Sequence, residues 1–171
     1  MSSAKEDWCT PPKIVEVLNK IGPIGLDPCS NSGSIIPSKY SFTLPSDGLK
    51  VDWAYYAADG FTFVNPPYGS KQKDWVTKAV EEAAKGAFVV MLVPARPDTK
   101  MWHNQILGRA SVCLVRGRIT FIGAANGAPF PTALIAFSNN PDELRRFELA
   151  CTGLGTVICV TSPTPEDIYE P

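Results

Sequence analysis

Four consecutive residues, Asn65-Pro66-Pro67-Tyr68, have the types and spacing most open to a chemical reading. Proline has a fixed φ and no backbone N–H, so two in a row make a stiff turn whose main chain there can only accept hydrogen bonds. Asn65 adds a side-chain carbonyl beside those acceptors. Acceptors held in this way suit an exocyclic NH2 group, whose two hydrogens need two partners. Holding both hydrogens to one side biases the nitrogen toward a pyramidal, nucleophilic geometry. Tyr68 offers a flat face on which a base turned out of its stack could rest. Such an amine needs no general base before it attacks, because its lone pair is available and the proton can leave afterwards. Catalysis would then be chiefly positioning and electrostatics.

Stepping along the chain, Phe61-Thr62-Phe63-Val64 reads as a strand that ends at this turn, and 72–85 reads as a helix closed by Gly86. Residues 87–95 form an apolar run suited to a central parallel strand buried on both faces. Upstream, 13–22 has a helical apolar face, with Thr10 as N-cap and Pro11 and Pro12 in the first turn. A short buried strand follows and ends at Asp27-Pro28. Residues 30–60 are irregular, which in a compact chain points to a functional segment. Downstream, a short helix is expected over 98–108 with Asp98 as N-cap. Strands are expected from Ser111, Arg118 and Thr132, then a helix near 141–150 and a last strand through Ser162. Strand–helix alternation followed by closely linked strands predicts an α/β doubly wound sheet with an antiparallel edge. In such sheets ligands bind beyond the carboxyl ends of the strands, where both Asp27-Pro28 and Asn65-Pro66-Pro67-Tyr68 would stand.

The 171-residue length suits one compact domain, 1–171. A net charge of −1 argues against a broad basic coat, so any nucleic-acid surface must be a local patch. Lys71, Lys73 and Lys78 flank the Asn-Pro-Pro-Tyr turn and either solvate it or meet DNA. Arg96, just past a strand end, suits phosphate contact or substrate positioning, with an ion pair to Asp98 as the plainer reading. Arg116 and Arg118 are read either as DNA-facing or as solvated. The five cysteines include no C-x-x-C pair and the only histidine is His103, so no metal site is expected. Reduced, mostly buried thiols in an intracellular protein are expected instead. No apolar run nears the about 18 residues of a membrane span, so no membrane partner is expected.

The motif does not stand alone. Trp8-Cys9-Thr10-Pro11, Leu26-Asp27-Pro28, Tyr40, Asp47-Gly48-Leu49 and Trp53 precede it. Trp75, Pro94-Ala95-Arg96 with Thr99 and Trp102, Gly117-Arg118-Ile119 with Phe121, and Phe130-Pro131 follow it. This ordered series resembles the phage-type DNA N6-adenine methyltransferase family, a compact Dam-like group, over about residues 8–138. The resemblance implies a Rossmann-like methyltransferase fold, S-adenosyl-L-methionine as cofactor and double-stranded DNA as partner. Asn65, Pro66 and Tyr68, on the turn completed by Pro67, would hold a flipped adenine. Asp27, with Pro28 and Ser30 beside it, would sit at the methionine end of the cofactor. Thr10 and Pro11 would bring a helix start to the methionine carboxylate, which agrees with the affinity of helix N-termini for anions. Asp47 would meet the cofactor's adenine or ribose, and Trp8 would wall its pocket or cover the first helix. A GATC-type site, a cytoplasmic location in a bacterial host and protection of phage or prophage DNA from restriction are further implications. Monomer and homodimer are both open.

The chain departs from the pattern after its first strand. Cys29-Ser30-Asn31-Ser32-Gly33 holds one glycine and no G-x-G-x-x-G, so close backbone approach to a cofactor at that loop is not expected. There is also little room for a separate recognition domain. Two other readings stand beside the adenine one. The acceptor could be another NH2 group, in RNA adenine, protein glutamine or cytosine N4. Alternatively the chain could be a catalytically silent DNA-binding module.

Overall fold

The computed structural model describes residues 8–160. The expected strand end at Thr161-Ser162 and the Pro-rich tail lie outside them. The elements run α1 (Pro12–Ile21), β1 (Ile24–Asp27), β2 (Ser38–Ser41), a 3-10 turn (Gly48–Lys50), α2 (Trp53–Tyr56), β3 (Phe61–Val64), α3 (Gln72–Ala84) and β4 (Val89–Pro94). A π-helical turn (Trp102–Ile106), β5 (Ser111–Val115), β6 (Thr132–Phe137), α4 (Pro141–Cys151) and β7 (Gly155–Ile158) complete the described residues. The seven strands form one sheet in the order β2-β1-β3-β4-β6-β5-β7. The first four are mutually parallel, and β6, β5 and β7 pair antiparallel. The α/β expectation and its antiparallel edge both hold.

Strand composition follows position in the sheet. The inner strands β1, β3, β4 and β6 are buried at every residue, so they read as continuous apolar runs. The outer strands β2 and β7 keep exposed residues. Alternate side chains go to opposite faces. Phe61, Phe63, Val90 and Leu92 join Ile14 and Leu18 of α1 and Phe147 of α4 on one face. Val64, Val89, Met91 and Val93 join Trp53 of α2, and Trp75 and Ala79 of α3, on the other. Helices therefore cover both sides of the sheet.

Three local expectations change. Pro11, not Thr10, is the N-cap of α1, and it makes no side-chain cap bond. The Thr10 hydroxyl has instead been drawn to Asn65, 55 positions away. The helix expected over 98–108 is only the π turn, and its N-cap is Met101, without a side-chain cap bond, rather than Asp98; the Thr99 hydroxyl accepts from Trp102 N–H at 3.4 Å. The strand expected from Arg118 does not form. Residues 116–131 make a long link between β5 and β6, with left-handed glycines at Gly117 and Gly123 and a single bridge from Ile122 to Cys9. Ring packing of Phe121 and Phe130 onto Trp8 takes the place of a ladder there. The irregular stretch 30–60 contains β2, the 3-10 turn and α2. Of the cysteines only Cys113 and Cys151 are buried, with Cys9 and Cys29 half-buried and Cys159 exposed, so burial is less general than expected.

Candidate active site

The chain leaves β1 to form β2 on one side and β3 on the other, so the strand order reverses at β1. A crevice beyond the carboxyl ends of β1 and β3 follows from that reversal. It exists, and its walls include Trp8, Pro28, Ser30, Asp47, Asn65 and Pro66. Pro67, Lys71 and Trp75 extend the same wall toward α3. A smaller recess shares Trp8, Ser30 and Asn65 with it and takes in Thr10 and Asp27. Residues spread from 8 to 75 in the chain are thus gathered at one sheet edge.

Asp27 ends β1 and is 3% exposed. Its carboxylate accepts from Cys29 N–H at 3.2 Å and Ser34 hydroxyl at 3.5 Å. Burial outweighs these bonds and the Ser30 hydroxyl, and pushes the carboxyl up to about 6. It is a carboxylate at neutral pH, held at a cost, in a recess. A cationic group placed beside it would relieve that cost.

The first-strand loop stays in place without a glycine-rich turn. Ser30 N–H donates to Phe42 carbonyl and Phe42 N–H to Asp27 carbonyl, each at 2.9 Å. Asn31 Oδ1 accepts from Gly33 N–H at 2.9 Å and from the Cys9 thiol at 3.3 Å. The close approach that the loop's own sequence lacks comes from elsewhere. Gly48 lies so near the Pro28 carbonyl that a Cβ on it would be 1.8 Å from that oxygen. Trp53 Nε1 donates to the Gly48 carbonyl at 2.8 Å, and the Trp53 and Ala54 N–H groups donate to fully buried Glu82 at 2.9 and 3.4 Å. Lys78 and Lys85 hold the other Glu82 oxygen at 2.7 and 2.9 Å. Burial opposes the Glu82 charge, but these partners more than offset it and hold the carboxyl below its usual range. Asp47, one residue before Gly48, is thereby set at the cleft, where it also caps the 3-10 turn at Leu49 N–H.

Asn65 follows β3 directly. Its Nδ2 donates to Trp8 carbonyl at 2.5 Å and to Thr10 Oγ1 at 3.2 Å, and its Oδ1 accepts from Tyr68 hydroxyl at 3.1 Å. Tyr68 does not line the cleft. Its ring meets Phe130 at 5.3 Å, edge to face, and Phe121 at 6.0 Å. Burial pushes the phenol far up, so it stays protonated and serves as a donor. Trp8 does both of the things expected of it, walling the cleft and packing on Phe121 at 4.9 Å.

The helix start is a weaker anion cradle than expected, because Pro11 and Pro12 have no N–H and Ile14 N–H turns back to the Pro11 carbonyl at 3.0 Å. Among the basic residues, Lys71 lines the cleft, whereas Lys73, Arg96 and Arg118 are exposed and do not. Arg118 reaches Ala128 carbonyl at 3.3 Å and braces the 116–131 link. Lys78 is occupied by Glu82 and is not a DNA-facing group. Sequence reasoning gave Gly48 no role beyond its place in the Asp47-Gly48-Leu49 motif and passed over Glu82. Gly48 had a signal in its place between Asp47 and Trp53. Glu82 had none, since a Glu in a charged helix reads as solvated.

A family profile described as DNA N-6-adenine-methyltransferase (Dam) matches residues 1–133, more than half of the chain. The chain belongs to this Dam family of adenine-specific DNA methyltransferases. Its seven-stranded sheet with a parallel core is consistent with the Rossmann-like methyltransferase fold of the family. The matched Dam region takes in α1 through β5 and the start of β6, and so every cleft residue named above. No curated protein and no solved structure matches the chain. Among the described residues no helix is long and apolar enough to cross a membrane.

Proposed function

We propose that this Dam-family chain binds S-adenosyl-L-methionine in the β1/β3 crevice and methylates N6 of an adenine turned out of duplex DNA. The observation that carries the reading is the orientation of Asn65: its NH2 is spent on Trp8 and Thr10, and its carbonyl, which takes the Tyr68 hydroxyl on one lone pair, has the other open to a second donor. An exocyclic amine is such a donor.

When bound, S-adenosyl-L-methionine supplies an electrophilic methyl group on a sulfonium. The residues fit it, since a buried carboxylate held up to about 6 suits the ammonium of an amino-acid group. Asp27, with Pro28 and Ser30, would hold the methionine end. Trp8 would wall the site, Asp47 would receive the nucleoside end, and Thr10 and Pro11 would border the recess. Asn65 and the Pro66 carbonyl would take the two hydrogens of the adenine amine on the stiff turn completed by Pro67. Tyr68, placed by Phe121 and Phe130, would close the base side and keep Asn65 aligned. The proton would leave the methylated amine to water. Lys71 at the cleft, with Lys73 in the first turn of α3 and Arg96 and Arg118 on exposed links past the strand ends, would meet phosphates.

A GATC-type site is the first target to test. Modification of phage or prophage DNA against restriction, in the cytoplasm of a bacterial host, is the role this activity would serve. Labelled methyl incorporation into unmethylated duplex DNA, followed by nucleoside analysis, tests the reading. N6-methyladenine is the expected product. Bound cofactor with no label in DNA would move the acceptor to another amine or make the chain a silent DNA-binding module.

A further inference from the structure

Thr10 belongs by sequence position to the expected cofactor site, yet its hydroxyl is 3.2 Å from Asn65 Nδ2 and its side chain is 4% exposed. The neighbouring partner of the same NH2 group is the Trp8 carbonyl, at 2.5 Å. A carbonyl oxygen can only accept. Were the amide turned over, Asn65 Oδ1 would face the Trp8 oxygen at contact distance with no proton between them. The Trp8 carbonyl therefore favours this orientation of the amide, the Tyr68 hydroxyl that donates to Oδ1 favours it as well, and the Thr10 hydroxyl is the second acceptor that holds the same NH2 group in place. The Trp8 end of the tripeptide is held independently. Its ring packs on Phe121, Cys9 carbonyl accepts from Ile122 N–H at 3.0 Å, and the Cys9 thiol reaches Asn31. A carboxylate at position 65 has no N–H to give the Trp8 carbonyl, so the clamp selects an amide there.

We propose that Thr10 is a positioning residue of the methyl-transfer site: with the Trp8 carbonyl it locks the Asn65 amide so that its oxygen, and not its NH2, faces the acceptor amine. The inference rests on the function proposed above for Asn65. Thr10 acts through Asn65 and touches neither reacting atom. An unclamped amide would sample the reversed orientation, which opposes NH2 to NH2 and cannot hold the substrate.

The test compares Thr10→Val, nearly the same in shape but without a hydroxyl, with Thr10→Ser. Loss of one hydrogen bond to a positioned group is worth about tenfold. For Thr10→Val, kcat on unmethylated duplex DNA should fall about tenfold while S-adenosyl-L-methionine binding by calorimetry stays within about twofold. Thr10→Ser should recover kcat to within about threefold. An unchanged kcat in the valine variant, an equally slow serine variant, or cofactor binding weakened as much as kcat would each overturn the proposal. In the unmutated protein, the Asn65 side-chain NH2 protons should be shifted downfield and protected from solvent exchange in NMR spectra. Protons with the shifts and exchange of a solvated asparagine would overturn it as well. This second measurement needs neither a folded variant nor turnover. A wild-type chain that methylates no DNA therefore defeats the proposed function while still leaving the clamp to be read.

Discussion

Replacing Asp27 by Asn should make the cofactor-free protein more stable and a worse cofactor binder. Asp27 is 3% exposed, and burial moves its carboxyl from an ordinary value of 3.8 up to about 6. At about 1.4 kcal/mol for each tenfold change in proton affinity, ionised Asp27 costs the native chain about 3 kcal/mol. The sign follows from proton counts. Between pH 4 and 6 the native chain keeps a proton that the unfolded chain has released, so stability falls as pH rises through this window. Above about pH 6 the full cost is in place. Asparagine cannot ionise, and its Oδ1 can still accept from Cys29 N–H. Thermal unfolding of both proteins at pH 4.5, 5.5, 6.5 and 7.5 checks this. Because the unfolded carboxyl is already mostly ionised at pH 4.5, about 2 of the 3 kcal/mol develops across the series, so the melting temperature of Asp27→Asn relative to wild type should rise by about 4–8 °C, at about 2–4 °C per kcal/mol for a chain of this size. Calorimetric titration at pH 7.5 should show S-adenosyl-L-methionine binding weakened at least about tenfold, the worth of a hydrogen bond to a charged group. Wild-type binding should strengthen as pH rises through 6. A melting difference that stays constant from pH 4.5 to 7.5 would refute the reasoning about burial. A stabilised variant that binds the cofactor as tightly as wild type would refute the role given to the charge.

Other substitutions probe the supports of the cleft. Gly48→Ala puts a methyl 1.8 Å from the Pro28 carbonyl, so backbone must move; it should cost about 1–3 kcal/mol in urea unfolding and weaken cofactor binding. Glu82→Ala leaves buried Trp53 N–H unpaired and Lys78 without its partner; unfolding stability should drop by about 3 kcal/mol, mostly without Lys85, whose side chain is largely exposed. Asn65→Ala should cut methyl transfer about a hundredfold and leave cofactor binding within about threefold, measured by single-turnover labelling and calorimetry. Tyr68→Phe removes the donor to Asn65 Oδ1 and should lower kcat about tenfold, the same worth of one hydrogen bond to a positioned group.

Local pattern carried a large part of the structure. The apolar runs at 61–64 and 89–94 announce strands buried on both faces, since only a central strand tolerates side chains that are apolar in both directions. The spacing over 72–84 announces α3, and Gly86 with φ 102 closes it as its position suggests. Asn65 and Asp27 were legible because each ends such a strand, and strand ends in this fold class are where ligands lie. Thr10 shows where that legibility stops. Local reasoning makes it a helix cap, because Ser and Thr before a helix usually satisfy its first N–H groups. Here the next two residues are prolines, the helix start has few donors, and the hydroxyl serves a distant amide instead.

The sequence by itself determined the order of the central buried strands and of α1, α3 and α4, the stiffness of the Asn-Pro-Pro-Tyr turn and the family, because those depend on short-range periodicity, fixed proline geometry and ordered motifs. Only the tertiary structure decided which way the Asn65 amide faces, how far Asp27 is pushed from its ordinary value, and that Gly48 supplies the close approach absent after β1. Those three facts depend on atoms brought together from opposite ends of the fold. The orientation comes from a carbonyl 57 positions away, the proton affinity from the summed exclusion of water, and the glycine from a backbone contact with a residue 20 positions back along the chain.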